Sequence, residues 1–141
     1  MTTTHVCNTP SEAMKKAVAE VEQGHHVVVA SDHWSLASMI TAFIVTVGHV
    51  QHAIAKNLYE RPTEGDAAIM GGLRLSGAEV RLRDEARIKI EAWLDKYPQC
   101  LRTFALTKRI PVAEIAQTMG VEDATHIFYV CNPIDKAEVV L

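Results

Sequence analysis

The chain is predicted to be a single α/β domain, 1–141, with a mixed β-sheet flanked by helices. Three observations predict it. Val27, Val28 and Val29 form a β-branched run that is too short for a helix and apolar enough for a buried strand. On either side, Met14 to Val21 and Leu36 to Phe43 repeat apolar residues at helical spacing. The chain has 141 residues, 48% of them apolar, which suits one domain with a substantial core.

Residues 5–8 read as a first strand. Thr9-Pro10-Ser11-Glu12 then supplies an N-cap threonine, a proline at N1 and a glutamate at N3, which together make a capping box. Met14, Ala17, Val18 and Val21 make one apolar face, and Gly24 follows as the C′ residue. A second strand covers 26–31, so the opening is β–α–β, most simply with parallel strands. The next helix starts near Ser35, capped by Ser35 or Asp32. Its apolar pattern runs to Leu58, as one helix or as two pieces broken at Gly48.

Arg61 to Asp66 is a loop. Residues 67–75 read as a strand holding the Gly71-Gly72 pair, and 78–82 as a further, antiparallel strand. Asp84 caps a helix whose inner face is Ala86, Ile90, Trp93, Leu94 and Tyr97, and Pro98 stops it. Residues 100–107 read as strand. Pro111 opens a short helix with Val112, Ile115, Ala116 and Met119 inward and Gly120 at C′. Residues 126–131 are a strand, and 137–141 add an edge strand. Val6-Cys7-Asn8-Thr9-Pro10 echoes Val130-Cys131-Asn132-Pro133. An echo this short has little weight, but it fits two strand ends lying side by side.

Net charge is −3, which argues against a general grip on a nucleic-acid polymer. Residues 71–110 nevertheless hold nine of the fourteen basic side chains, a local excess that suits a small anionic ligand. Residues 110–121 have the look of half a helix-turn-helix, but the acidic Glu122-Asp123 and a β-rich run follow where a recognition helix should. The first residues lack a secretory signal, and three cysteines without metal spacing suit reduced thiols, so a cytoplasmic protein is expected. The apolar run after Leu36 holds about 15 residues where a membrane span needs about 20, so no membrane partner is expected. The apolar helices within 36–58 suggest a self-contact surface and a homo-oligomer.

The strongest local cluster is Ser31-Asp32-His33-Trp34-Ser35, at the point where a buried strand becomes a helix. Open α/β sheets place ligands there, because the helix presents unpaired N–H groups and a positive dipole end. Ser31 can meet a phosphate, Trp34 can stack on a base, and His33 can act as acid or base with Asp32 fixing its tautomer. Arg74, Arg81, Arg83, Arg102, Lys108 and Arg109 are candidate phosphate ligands. Phe104 is a further stacking surface, and Asn132 or Asp135 can take a ribose or base edge. His25-His26 and His49-x-x-His52 are residue types that ligate metals, but no nearby Cys or carboxylate completes a set in sequence. No metal or cofactor is expected.

Residues 9–43 followed by 57–75 resemble the viral ring nuclease family of small phage and archaeal-virus proteins. The shared features are a strand ending in Asn, a helix, then a strand ending in His33 before a helix, then Gly65-Asp66-Ala67-Ala68-Ile69, and Leu73-Arg74-Leu75 with Gly77. The resemblance implies action on cyclic oligoadenylate, with His33 catalytic. Asp32 stands where that family has Gly, and Leu58 where it has Arg, departures that touch cleavage more than binding. In size and layout the chain is also similar to phage anti-Thoeris sponge proteins, which bind cyclic ADP-ribose-type signals without cleaving them. Gly24-His25 and Ser31-Asp32-His33 are similar to the ribose/fucose mutarotases, which implies a small-sugar enzyme. The expected function is therefore an anti-defence sponge for a small cyclic nucleotide or ADP-ribose-type immune signal. The alternatives are a ring nuclease and a mutarotase-like enzyme.

Overall fold

A computed structural model describes residues 2–52, 55 and 84–131. The elements are β1 (Thr3–Cys7), α1 (Pro10–Glu22), β2 (Val27–Ser31), α2 (Leu36–Gly48), α3 (Asp84–Lys96), β3 (Leu101–Ala105), a 3₁₀ turn (Val112–Glu114) running into α4 (Ile115–Thr118), and β4 (His126–Val130). The strands form one sheet in the order β1-β4-β2-β3, and every described pairing is parallel. This is the expected α/β fold. The antiparallel strand at 78–82, the Gly71-Gly72 strand and the edge strand at 137–141 lie outside the described residues.

The interior of the sheet explains the valine run. All five residues of β2 are buried, as a central parallel strand covered on both faces requires. Val27 and Val29 join Phe128, Val130 and Leu101 under α1, α2 and α3, while Val28 and Ala30 join Ile127, Tyr129, Val112 and Ile115 on the α4 side. β1 and β2 are parallel in sense, but β4 lies between them. The echoed strand ends are therefore neighbours, offset by one residue: Cys7 pairs with Val130, and Cys131 N–H donates to the Cys7 carbonyl at 2.9 Å.

Local signals set the helix ends. Thr9 Oγ1 accepts from Glu12 N–H, and the Glu12 carboxylate reaches back to Asn8 N–H at 2.9 Å, one residue earlier than the expected capping box. Gly24 follows the C-cap Gln23 with φ of 93°, the left-handed geometry that glycine adopts freely. Ser35, not Asp32, caps α2. α2 ends at Gly48, with His49 left-handed at φ 54°, and a helical bond from Ala55 N–H to the Gln51 carbonyl begins a second piece. Gly48 lies close against α3: a Cβ there would lie 3.0 Å from Ile90 Cδ1, so that side chain would have to give. The apolar residues of 36–48 that suggested a self-contact surface include the buried Met39, Ile40, Phe43, Ile44 and Val47, which pack inside the molecule. No helix among the described residues is long and apolar enough to cross a membrane.

Candidate functional site

The turn after β2 is built by Ser31. Its side chain is buried, its hydroxyl donates to the Val130 carbonyl at 2.7 Å, and it accepts from the N–H groups of His33 at 3.0 Å and Trp34 at 3.1 Å. A serine hydroxyl has one proton and two acceptor positions, so its capacity is filled. Ser31 therefore holds the turn, and the phosphate contact expected of it is not open to it.

This bracing sends the next residues to opposite sides. The Asp32 carboxylate turns inward and accepts from the Tyr129 hydroxyl at 2.7 Å. Burial first, and then the Asp32 carboxylate, push the Tyr129 phenol well above the ordinary tyrosine range, while the positive charge of Arg109 acts in the opposite direction. His33 Nε2 lies 3.7 Å from the same Asp32 oxygen, beyond hydrogen-bond range. Trp34 is 37% exposed and faces the α1 side.

There a groove of about 570 Å³ opens between the first turns of two helices. Thr9, Pro10 and Ser11 contribute from α1, Ser35 and Ser38 from α2, and Trp34 and His52 stand at its walls over Ala42 and Val45. The described lining contains no acidic side chain. Each cap occupies one N–H, Glu12 for α1 and Ser38 for α2. α2 offers Leu36 and Ala37 N–H and a positive dipole end with no acid in its first turn. At α1, Pro10 has no N–H and the Glu12 carboxylate already meets the helix end, leaving Ser11 N–H there. The groove is suited to an anion chiefly at α2, and Trp34 supplies an aromatic face beside it.

The cations expected at this mouth do not all gather there. Arg102 sits on the α4 face of β3 and forms an ion pair with Asp123 at 3.0 Å, because strand alternation turns it away from Leu101 and toward the loop before β4. Phe104 shares that face and packs on the α4 cluster, so it is not at the groove. Lys108 is exposed in the loop after β3. Arg74, Arg81, Arg83, Asn132 and Asp135 lie outside the described residues. Sequence reasoning had no signal for Tyr129 as the partner of Asp32, nor for Thr9 to Ser11 as the facing wall. Both follow from strand order.

A histidine cluster lies at the other end of the sheet. His25 meets Glu20 and His126, whereas His49 is the C-cap of α2 and His52 lines the groove.

In comparisons with known proteins, no family model, curated protein or solved structure matches this chain.

Proposed function

We propose that the chain binds a small anionic nucleotide, of the cyclic-nucleotide or ADP-ribose type used as immune signals, and sequesters it without cleaving it. The groove carries this reading: the N-terminus of α2 with the Ser11 N–H opposite for phosphate, hydroxyls of Ser11, Ser35 and Ser38 for ribose or phosphate oxygens, and Trp34 for the base. The partial resemblance to ring nucleases and the similarity in layout to sponge proteins direct it to cyclic signals. Sequestration needs tight binding and no nucleophile.

A second reading, cleavage with His33 as general acid or base, is favoured by the position of His33 at the strand end. The Asp32 oxygen nearest His33 is engaged by Tyr129 at 2.7 Å, so it orients the phenol more closely than the imidazole.

The two are separated by incubating the protein with cyclic ADP-ribose isomers and cyclic oligoadenylates, followed by chromatography before and after heating. Intact ligand recovered only on heating supports sequestration. A linear product that disappears in His33→Ala supports cleavage. Neither depletion nor product with any of these nucleotides refutes the proposal.

A further inference from the structure

We propose that Glu20, His25 and His126 form a binding site for one divalent transition-metal ion of the Zn²⁺ class, at the end of the sheet opposite the groove. The site is independent of the nucleotide reading.

Three donor atoms converge there. His25 Nδ1 lies 2.6 Å and His126 Nε2 3.2 Å from the same Glu20 carboxylate oxygen, Oε2, and a set of one ligand atom from each residue lies within 4.8 Å of one another. Ligands about 2.0–2.1 Å from a tetrahedral ion are about 3.3 Å apart, so the Glu20–His126 spacing already fits, His25 has to withdraw from Glu20 by less than about 1 Å, and the two imidazoles, within 4.8 Å, have to settle at that same spacing. Two imidazole nitrogens and one carboxylate oxygen are a donor set for borderline first-row divalent ions. The side chains are 26% (Glu20), 39% (His25) and 19% (His126) exposed, which leaves a path for the ion and open positions for water.

The backbone holds this geometry. His25 N–H donates to the Glu20 carbonyl at 3.2 Å across the turn that ends α1, so Glu20 and His25 share one rigid corner. His126 opens β4 and pairs in register with Val27, and Thr125 N–H donates to the His26 carbonyl at 2.8 Å. The rings of His5 and His126 are stacked, with centroids 5.8 Å apart and planes 7° from parallel, which fixes the plane of the His126 ring.

The outer contacts favour a cation at Nε2. The Thr125 hydroxyl lies 3.0 Å from His126 Nδ1 and 3.2 Å from the His26 carbonyl, and so anchors the ring from the side away from Glu20. An outer hydrogen bond at Nδ1 leaves Nε2 as the nitrogen directed at Glu20, the usual arrangement of a metal-binding imidazole. His126 Nε2 faces the Glu20 carboxylate at 3.2 Å, so a proton or a metal ion can bridge the two, and in the proposed site the ion takes this place. An ion bound there also meets His25 Nδ1, 2.6 Å from the same Glu20 oxygen.

The test uses the full chain, stripped with a chelator and titrated with Zn²⁺ alone by calorimetry. Parallel Co²⁺ titration reads the visible absorption of four- or five-coordinate metal. One ion per chain is expected, with affinity lowered about tenfold or more in Glu20→Gln and in His25→Ala and unchanged in His49→Asn. Circular dichroism and chelator-treated melting curves establish that both variants are folded; Zn²⁺ raises the melting temperature of the parent and not of either variant. Absence of stoichiometric binding overturns the proposal. So does binding that both folded variants retain in full, which assigns the ion to other histidines.

Discussion

Ser31→Ala tests the claim that this hydroxyl builds the turn and does not touch ligand. The substitution takes the donor from the Val130 carbonyl and the acceptor from the N–H groups of His33 and Trp34. Leaving a buried carbonyl without this proton costs about 1–3 kcal/mol. The two N–H groups belong to exposed residues that water can reach, so together they add only about 0.5–1 kcal/mol. The expected loss is therefore about 1.5–4 kcal/mol. At about 3 °C per kcal/mol for a domain of this size, the melting temperature falls by about 4.5–12 °C. Urea unfolding followed by circular dichroism, with the slope compared between proteins, measures it. A loss below about 0.5 kcal/mol together with abolished ligand retention would refute the bracing role and return Ser31 to the ligand.

Other substitutions probe the groove, the phenol and the helix contact. Trp34→Ala is expected to weaken nucleotide binding by about 1–3 kcal/mol, the worth of one stacked base, with little change in melting temperature because the ring is 37% exposed; equal affinity for both proteins removes Trp34 from the site. Tyr129 holds its proton to higher pH folded than unfolded, so its contribution is complete below about pH 10 and falls above it, by up to about 1.4 kcal/mol per pH unit, as the unfolded phenol ionises. Stability curves of the parent and Tyr129→Phe should therefore converge as pH rises above 10, and a constant difference contradicts the assignment. Gly48→Ala gains about 1 kcal/mol in helix propensity but presses its Cβ to 3.0 Å from buried Ile90 Cδ1, for a net loss of about 1 kcal/mol. Ile90→Val should cost less in the Gly48→Ala background than alone; strict additivity shows the two helices do not meet there.

What the sequence made legible was local. The Thr9 cap, Gly24, the inner face of α3 and the buried valine strand each depend on residues within one or two turns of one another, and each stands where periodicity and capping chemistry predict. The break at Gly48 was open in the sequence because propensity alone weighs glycine at about 1 kcal/mol; its close approach to Ile90 belongs to another helix. Long-range partners were not legible. Whether Arg102 faces a ligand or Asp123 depends on which face of β3 is covered, and Ser31 is filled only because β4 lies beside β2. His126 reaches Glu20 through the same strand order, so no spacing of histidines along the chain reveals that cluster.

The most direct test of the groove is a nitrogen–proton correlation spectrum of the chain titrated with cyclic ADP-ribose isomers and cyclic oligoadenylates. The expected result is saturable shifts of the amides at the first turns of α1 and α2, Ser11, Glu12, Ala37 and Ser38, and of the Trp34 indole N–H, with Lys108 and Asp123 unmoved. Shifts confined to the α4 side of the sheet, or none with any of these nucleotides, would contradict it.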